Sequence, residues 1–476
     1  MKQSGGKRIR DMADKPFDNN RRTFMRTTAL AAGLLSAGIA PFALAAKGGN
    51  SGGSQTARNP LRIPPTIAPG GAALTAAPAS VNLGGGKLSS VLAYNGFFPG
   101  PTFRANNGDV ADIAFTNGLA AETTIHWHGM IVPPAADGHP VDAVMPGASY
   151  AYQFPVEQRA CLNWYHPHPH MKTGEQVALG LAGAFIVNDA EEAALNLPSG
   201  LHEVPLILRD ANFDSSGNLT YTAKSSGFLG KTPLVNGTLN PQLVVDTAIY
   251  RFRVLNGANA RVFRLALSNG APFVVIGNDG GLLDTAPASV VELEFGPGER
   301  LDILVDFRDL AVDDRVMLRC LSAGWDLLEF AVARAVTVAG EIPVGALSTI
   351  TALADPVLTR EFSFDGMSRI NGRVYDMHRI DFQVPLGQTE RWRFKTGGNA
   401  PHPVHVHGAS FQVVSRTGGR GRVLPWERGW KDTVLLLDGE TVDVLIRFDA
   451  YRGLYVMHCH KLEHEDMGMM SNFEVV

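Results

Sequence analysis

One strand-like segment occurs three times in this chain, at a spacing the size of a domain. Residues 110–118 read Val-Ala-Asp-Ile-Ala-Phe-Thr-Asn-Gly, and similar segments follow at 251–257 and 391–397, with closing glycines 139 and then 140 residues apart. A second shared element occurs at 298–305 and 439–446. Apolar and polar residues alternate, as on half-buried β-strands, and solenoid repeats are shorter than this spacing. The sequence therefore predicts repeated copies of one β-domain.

The rest of the chain agrees with an all-β fold. From residue 60 onward, short alternating segments are separated by Gly, Pro and Asn, the pattern of β-sandwiches. We predict three sandwich domains, at 60–190, 201–345 and 356–476. Hydrophobic residues make up 45% of the chain, enough for sizeable cores, whereas three cysteines cannot form a disulfide framework in 476 residues. Cys161 and Cys320 are able to pair in an oxidising compartment or to stay buried as thiols, and the sequence leaves both open.

The N-terminal residues have the composition of an export signal. Residues 20–26 read Asn-Arg-Arg-Thr-Phe-Met-Arg and precede an Ala-, Gly- and Leu-rich stretch that ends in Ala-Leu-Ala at 43–45. This pattern resembles a twin-arginine signal peptide. A membrane anchor is the alternative, but Pro41 and the cleavage pattern favour export. We expect residues 1–46 to be read by the twin-arginine export machinery, residues 47–59 to be a flexible linker, and the protein to be periplasmic or exported, with no stable membrane anchor.

Charge is distributed unevenly along the chain. Residues 1–46 hold eight Lys or Arg and three Asp, so the remainder carries 34 positive against 43 negative side chains. An acidic body behind a basic leader disfavours nucleic acid as a partner.

Ten of the 14 histidines fall into four groups. The groups are His126-Trp-His128, His166-Pro-His168, His402-Pro-Val-His405-Val-His407, and His458-Cys-His460 followed by His464. Residues two apart on a strand point to the same face, so each His-X-His segment can direct two imidazoles at one point. Four such pairs supply eight imidazoles, which suits a small metal cluster. His170, just after the second group, is a loop residue or a residue that faces the cluster or the substrate.

The fourth histidine group also contains a cysteine. On a strand Cys459 faces away from His458 and His460, so one segment can ligate two metal centres on opposite faces. Cys459, His402 and His464, with Met469 as a weak axial ligand, form the ligand set of a blue-copper electron-transfer site. Zinc prefers a compact four-ligand site and has no use for a second, redox-linked centre.

These motifs resemble those of the multicopper oxidases, over nearly the whole mature chain and most closely in the bacterial copper-efflux and laccase-like branch. The segments at 95–101 and 429–433 carry the same resemblance. It implies three tandem cupredoxin-like Greek-key domains and four copper ions. By this resemblance the type 1 copper is bound by His402, Cys459, His464 and Met469, the type 2 copper by His126 and His405, and the type 3 pair by His128, His166, His168, His407, His458 and His460.

The resemblance also implies an enzyme that couples one-electron oxidation of a donor to the four-electron reduction of dioxygen to water. Cys459 would carry electrons from the type 1 copper to a cluster between the first and third domains, and the middle domain, which has no ligand, would be a spacer. Similar enzymes place acidic residues beside the cluster, and Asp137 and Glu465 match those positions as proton sources. Solvated or capping carboxylates are the alternative for both.

The sequence says least about the electron donor. Copper-efflux members carry a methionine-rich segment in the third domain, with acidic and Met ligands before the third motif; here residues 397–401 contain neither Asp nor Met, and the 13 methionines form no run. We therefore expect phenols or aromatic amines, oxidised at an open type 1 edge. A cuprous oxidase for copper tolerance, with ligands such as Met467 and Met470, is the first alternative. A non-catalytic copper store and a division-associated structural protein of the same fold are the others; a two-domain copper nitrite reductase is disfavoured.

Overall fold

Short strands with alternating or continuous burial make up the computed structural model, which describes residues 58–337, 340–397 and 401–476. The predicted signal peptide, 1–46, and the linker up to residue 57 lie outside the described residues.

The strands of the N-terminal part are β1 Asn59–Pro60, β2 Thr66–Ile67, β3 Gly70–Asn82, β4 Leu88–Tyr94, β5 Thr102–Asn106, β6 Val110–Asn117, β7 His126–His128, β8 Ser149–Pro155, β9 Cys161–His166 and β10 Gly183–Asn188. Those of the middle part are β11 Glu203–Phe213, β12 Leu219–Thr220, β13 Thr232–Val235, β14 Pro241–Asp246, β15 Ile249–Asn256, β16 Phe263–Leu267, β17 Phe273–Asn278, β18 Gly281–Leu282, β19 Ala288–Val290, β20 Leu293–Phe295, β21 Arg300–Asp306, β22 Arg315–Cys320 and β23 Trp325–Arg334.

The strands of the C-terminal part are β24 Thr359–Asp365, β25 Arg369–Ile370, β26 Phe382–Val384, β27 Thr389–Thr396, β28 His402–Val406, β29 Phe411–Thr417, β30 Trp430–Lys431, β31 Thr433–Leu436, β32 Thr441–Arg447, β33 Gly453–Cys459 and β34 Met470–Val475. The helices are α1 Thr173–Ala178, α2 Ala190–Ala193 and α3 Leu462–Asp466, with 3-10 turns at Pro134–Ala136, Pro140–Asp142, Gly200–His202 and Pro425–Glu427.

Each part of the chain forms two sheets. The N-terminal sheets have the orders β4-β3-β6-β8 and β2-β5-β10-β9-β7, and the C-terminal sheets β25-β24-β27-β32-β29-β30 and β26-β34-β33-β28-β31. The middle sheets have the orders β1-β14-β23-β22-β16-β20 and β12-β11-β15-β21-β17-β18, with β13 beside β11 and β19 beside β17. A separate hydrophobic core joins apolar residues of both sheets in each part. The all-β, sandwich-type fold predicted from the sequence is therefore confirmed.

The three repeated segments occupy the same place in their sheets. Strand β6 lies between a parallel neighbour, β3, and an antiparallel one, β8. Strand β15 lies in the same way between β11 and β21, and β27 between β24 and β32. The second shared element forms β21 and β32. The sequence repeat thus corresponds to a repeat of sheet topology, while the predicted domain boundaries stay predictions.

The first described strand joins the middle part rather than the N-terminal part. In β1, Asn59 and Pro60 pair with Pro241 and Gln242 of β14, and Leu61 packs against the middle core. The chain therefore adds an edge strand to a sheet of the middle part before it enters the N-terminal sandwich.

Two further expectations concern cysteines and the membrane. Cys161, Cys320 and Cys459 are buried free thiols, so no disulfide forms between described residues. Within the ranges that the structure describes, no helix is both long and apolar enough to cross a bilayer.

Candidate metal centre

Strand pairing brings the histidine motifs together. In the N-terminal part β7 and β9 are antiparallel, with His126 opposite His166. In the C-terminal part β28 and β33 are antiparallel, with His405 opposite His458. Trp127, between the two histidines of β7, points into the N-terminal core instead. The period of two along a strand thus separates core residues from the imidazoles that face the junction of the two parts.

Eight imidazoles meet at this junction, which we call the histidine cluster. Its members, each at most 1% exposed, are His126, His128, His166, His168, His405, His407, His458 and His460. The Nε2 atoms of His126 and His405 are 3.2 Å apart, and the Nε2 atom of His458 lies 3.2 Å from those of His168 and His407. His128 and His166 can offer ring nitrogens within 4.8 Å of one from His126. The His460 ring lies 4.8 Å from that of His128 and 5.2 Å from that of His166, centre to centre.

Burial favours the neutral form of most imidazoles in this cluster. Loss of solvent, followed by the proximity of other cluster histidines, lowers the pKa of His126, His166 and His407 well below the usual range. Burial lowers the pKa of His168 to about 3. Several ring nitrogens have no hydrogen-bond partner among the described residues, including Nε2 of His166 and both nitrogens of His460. Neutral imidazoles that turn lone pairs toward each other fit a bound cation, and imidazole is a good ligand for copper.

Hydrogen bonds behind the rings fix which nitrogen is free. The Nδ1–H groups of His126 and His405 donate to the backbone carbonyls of Asp137 and Asp432, both at 2.8 Å. The Nδ1–H of His407 donates to Oδ2 of Asp137 at 2.7 Å. Because carbonyl oxygens only accept, Nδ1 of His126 and His405 carries the proton, and Nε2 is left for a metal. Such outer hydrogen bonds orient metal-binding histidines in proteins.

A second donor set lies on the opposite face of β33. Nδ1 of His402 is 3.4 Å from Sγ of Cys459, Sγ is 3.7 Å from Nδ1 of His464, and the two Nδ1 atoms are 3.3 Å apart. Met469 is fully buried and shares the C-terminal core with Cys459. The backbone of Met469 donates to the carbonyl of His464 at 2.9 Å and accepts from the Cys459 N–H at 3.1 Å.

The chemistry of this second set also fits a metal. Burial raises the pKa of the Cys459 thiol to about 12, and it lowers the pKa of His402 to about 4 and that of His464 to about 2. The imidazoles are therefore neutral, and the thiol loses its proton only when a bound cation stabilises the thiolate. Two imidazoles, one thiolate and a nearby thioether suit copper more than zinc.

The expectation of an open edge at this site is wrong. His402 and His464 are fully buried. The backbone of Ser225, in the loop between β12 and β13, lies within hydrogen-bonding reach of the His464 ring. Residues 222–226 of this loop are exposed. The middle part of the chain therefore covers the site, which sequence spacing could not predict because the two segments are more than 200 residues apart.

Both predicted carboxylates contact the histidine cluster. Asp137 is fully buried, and its Oδ2 atom accepts from His407. Oε2 of Glu465 lies 3.0 Å from Nδ1 of His458, and Oε1 lies 3.6 Å from Nδ1 of His168. Burial raises the pKa of Asp137 well above its ordinary value and raises that of Glu465. Both groups can therefore hold a proton at pH values where a solvated carboxylate has lost it.

His170 stands apart from the cluster. Its ring lies 5.5 Å from that of Tyr375, centre to centre, and it belongs to no group of close metal-ligating atoms among the described residues.

Asp432 and Arg300 are functional candidates that the sequence analysis missed. Oδ1 of Asp432 accepts from Nε2 of His128 at 3.1 Å. The guanidinium of Arg300 contacts the same carboxylate and holds the pKa of Asp432 well below its usual range, against the effect of burial. One sequence signal could have pointed to Arg300. In the second repeated element it occupies the position of Thr441, so the middle copy has a charged residue where the C-terminal copy has an uncharged one. The middle part thus reaches the cluster without supplying a ligand.

A small cavity approaches the cluster from the surface. It has a volume of about 210 Å³ and is lined by residues that include Gln158, Cys161 and Trp430. A narrower pocket shares residues Ile131, Gly408 and Ala409 with it and reaches His126, His405 and His407. The narrower pocket has no space for a water molecule, so the larger cavity stops short of these imidazoles.

The two donor sets are joined by one strand, since Cys459 lies between His458 and His460. A thiolate site next to a cluster of imidazoles suits one-electron transfer between two copper centres. The fold and the site therefore define a β-sandwich protein with copper redox chemistry.

Comparisons with known proteins agree with this class. Residues 75–192 and 349–476 match family models described as multicopper oxidase. The chain is 35% identical over 400 residues to the multicopper oxidase mco of Staphylococcus haemolyticus (strain JCSC1435), covering 82% of this chain and 84% of that relative. The chain belongs to the multicopper oxidase family, as the motifs indicated. It is an oxidoreductase, of a family that uses copper, dioxygen and an electron donor.

Two further relatives differ in what they are reported to do. A solved structure of a bacterial laccase-like multicopper oxidase, CueO, from the lignin-degrading bacterium Ochrobactrum sp. is 32% identical, with a TM-score of 0.80, covering 88% of this chain and 100% of that chain. The cell division protein FtsP of Dickeya dadantii (strain 3937) is 31% identical over 480 residues, covering 95% of this chain and 98% of the relative. The fold is thus shared by proteins of different function, and the site must decide between them.

Proposed function

We propose that this chain is an exported, laccase-like oxidase with four copper ions, which oxidises phenols or aromatic amines one electron at a time and reduces dioxygen to water. The observation that carries the proposal is the segment His458-Cys459-His460. Its histidines face the histidine cluster, and its cysteine faces the second donor set on the opposite side of the strand.

The ligands are assigned as the family resemblance implied. The type 1 copper would be held by His402, Cys459, His464 and Met469, the type 2 copper by His126 and His405, and the type 3 pair by His128, His166, His168, His407, His458 and His460. When bound, these ions supply the one-electron steps that sum to the four electrons dioxygen needs. Two ring nitrogens at 3.2 Å with no proton between them support a shared cation at His126 and His405.

The protein contributes the electron path and the protons. Cys459 is bonded through the main chain to both His458 and His460, so the path between the donor sets is covalent and short. Asp137 and Glu465 hold protons behind His407 and His458, on the side of the rings away from the paired nitrogens. Their raised pKa values suit groups that hold a proton for delivery at pH values where a solvated carboxylate is ionised.

The donor is proposed to bind over the Ser225 loop. The His464 imidazole is the part of the type 1 set that the exposed segment 222–226 covers. The absence of a Met-rich run in the sequence favours organic donors over cuprous ion. The laccase-like relative from Ochrobactrum sp., which is reported to oxidise lignin model compounds and lignosulfonate, supports the same class.

Cuprous ion remains the second candidate because of one small cluster. Met377 packs against a small cluster formed by the buried Met470, Tyr375 and Val456 in the C-terminal part. Thioethers are preferred ligands of cuprous copper.

Oxygen uptake by the copper-loaded mature protein tests these proposals. We expect uptake with a methoxyphenol and none when Cys459→Ser removes the type 1 thiolate. Uptake with cuprous ion alone would refute the organic donor and establish the copper-tolerance alternative. Protein that binds copper and is blue, yet takes up no oxygen with either donor, would refute the oxidase and favour copper storage. Protein that binds no copper would favour a structural role such as cell division.

Export is tested separately, because residues 1–46 lie outside the described structure. We expect replacement of Arg21 and Arg22 by lysine to retain the protein in the cytoplasm, measured by fractionation. Unchanged export of that variant would refute the twin-arginine route.

A further inference from the structure

We propose that Arg300, a residue of the middle part that binds no copper, positions two imidazoles of the histidine cluster, His405 of the type 2 set and His128 of the type 3 set, by holding Asp432. This inference rests on the copper assignment in the proposed function.

Arg300 connects all three parts of the chain. It is fully buried at the start of β21, and its Nη1 donates to Oδ1 of Asp432 at 2.6 Å while Nη2 donates to Oδ2 at 2.5 Å. Its Nε donates to the carbonyl of Leu162, on the strand that ends in His166, at 2.9 Å. One rigid guanidinium therefore fixes a strand of the N-terminal part and the corner between β30 and β31 relative to the middle part.

Asp432 passes this constraint to two imidazoles. Its carboxylate accepts from Nε2–H of His128 at 3.1 Å, and its main-chain carbonyl accepts from Nδ1–H of His405 at 2.8 Å. His128 then presents Nδ1, which has no partner among the described residues, and His405 presents Nε2. The two rings are stacked, with centres 3.7 Å apart. A shift of Asp432 would therefore tilt both rings together.

The packing around this contact leaves little room for adjustment. Gly129 has a φ of +89°, and a Cβ atom there would lie 2.5 Å from Nη2 of Arg300 and 2.8 Å from Oδ2 of Asp432. A Cβ atom at Gly298, in the turn before β21, would lie 3.0 Å from Cδ2 of His460 and 3.1 Å from Cε1 of His128. The middle part thus packs against the cluster at two places, the contact between Arg300 and Asp432 and the turn at Gly298.

A second buried arginine of the middle part provides a matched control. Arg251, on β15, donates to both carboxylate oxygens of Asp302 and to Oε1 of Glu192, beyond the N-terminal sandwich. It is 2% exposed and joins two parts of the chain, as Arg300 does. Among the described residues, its side chain hydrogen-bonds to these two carboxylates and to no cluster histidine. If Arg300 only held the parts together, the two residues would behave alike.

The test compares Arg300→Gln, Arg300→Lys and Arg251→Lys in the full chain loaded with cupric ion. Copper per chain is measured by elemental analysis, and the separate EPR signals of thiolate-bound and imidazole-bound copper are integrated. With cupric ion limiting, we expect the ratio of type 2 to type 1 signal to fall in Arg300→Gln, because loss of a support for metal ligands weakens metal affinity by about 10- to 100-fold. Arg300→Lys should give an intermediate ratio, because an ammonium cannot match the bidentate contact. Arg251→Lys should keep the wild-type ratio.

Two results would overturn the inference. One is an unchanged signal ratio in both Arg300 variants, and the other is an equal fall in Arg251→Lys. If Arg300→Gln does not fold, the same signal ratio is measured in Arg300→Lys and in Asp432→Asn. Asp432→Asn retains an acceptor for His128 but loses the carboxylate that Arg300 holds, so its ratio should also fall below that of the wild type. Wild-type protein that binds fewer than about four copper ions would refute the copper assignment itself, and this is seen before any variant is compared.

Discussion

His405 on β28 lies directly opposite His458 on β33, and the next pair in the same register joins Val404 to Cys459. Successive residues point to opposite faces of a sheet, so one pair of strands supplies imidazoles to the histidine cluster and a thiol to the core side. A slip of one residue would exchange the two faces and destroy both donor sets. The register between these strands is therefore as important to the site as the ligands are.

Met469 is expected to set the potential of the thiolate site. Because the axial ligand tunes such sites, Met469→Leu should raise the reduction potential, measured by redox titration of the blue absorption band. Leucine has a similar volume, so the loss of stability should stay below about 1.5 kcal/mol. A potential that stays the same or falls would show that Met469 does not act as the axial ligand.

Asp137 is expected to deliver protons. An asparagine can still accept from His407 but cannot carry the proton, so Asp137→Asn should lower kcat for oxygen reduction by roughly a hundredfold. The blue band should be unchanged. Asp112, an exposed carboxylate on β6, provides the control, and Asp112→Asn should retain full activity. Equal kcat in the two variants would contradict the role of Asp137.

Asp466 ties together two short helices that each follow a histidine motif. Its carboxylate, in α3, accepts from the backbone N–H groups of Thr173 and Gly174 at the start of α1, both at 2.9 Å. Asp466→Ala should lower the free energy of unfolding by about 1–2 kcal/mol, as loss of a helix cap does.

Because α3 also carries His464, the blue band of Asp466→Ala should shift as well. Asp189 is the matched control: it accepts from the backbone N–H groups of Ala160 and Glu192, both at 2.8 Å, away from the thiolate site. Asp189→Ala should lose similar stability, measured by denaturant unfolding, with no change of the spectrum. A shift of the blue band in both variants would mean that the band responds to a general loss of stability and not to the position of His464.

His139 is expected to make the protein sensitive to acid. Burial lowers its pKa to about 4, and its Nε2–H donates to Oδ1 of Asn472 at 2.9 Å. Between pH 6.5 and 4 the unfolded chain binds a proton that the folded chain does not, so stability falls as the pH falls through this window. The loss is at most about 3 to 4 kcal/mol, since each pKa unit of the shift corresponds to about 1.4 kcal/mol.

His139→Gln should weaken this pH dependence, measured as the free energy of unfolding at pH 7 and at pH 4.5. His378→Gln, at an exposed position, should leave it as in the wild type. The same pH dependence in all three proteins would exclude His139 as a source of acid sensitivity.

Local patterns were enough to predict the sandwich fold and to point to residues whose donor atoms meet in the structure, while their roles as copper ligands stay predictions. Strand alternation and the spacing of closing glycines marked β6, β15 and β27, which occupy equivalent sheet positions. The position of Cys459 between two histidines predicted opposite faces for the thiol and the imidazoles. These inferences succeeded because they depend on the period of two along one strand, a property that neighbouring residues carry by themselves.

Contacts between distant segments were not predictable in this way. The Ser225 loop that covers His464, and Arg300 that holds Asp432, bring together residues more than 100 positions apart. In the sequence, Ser225 and Arg300 look like ordinary surface or strand residues, because the sequence does not show which distant residue each of them contacts. The middle part, expected to be a spacer, contributes to both sites through such contacts.

The amino-acid sequence by itself determined the type of fold, the family and the set of donor atoms, since these follow from local alternation and from residue chemistry. The tertiary structure alone decided which ring nitrogens face each other, how deeply His402 and His464 are buried, and which carboxylates stand behind the ligands. The physical reason is that orientation, burial and the resulting pKa values arise from packing between sheets, where atoms from distant parts of the chain replace water.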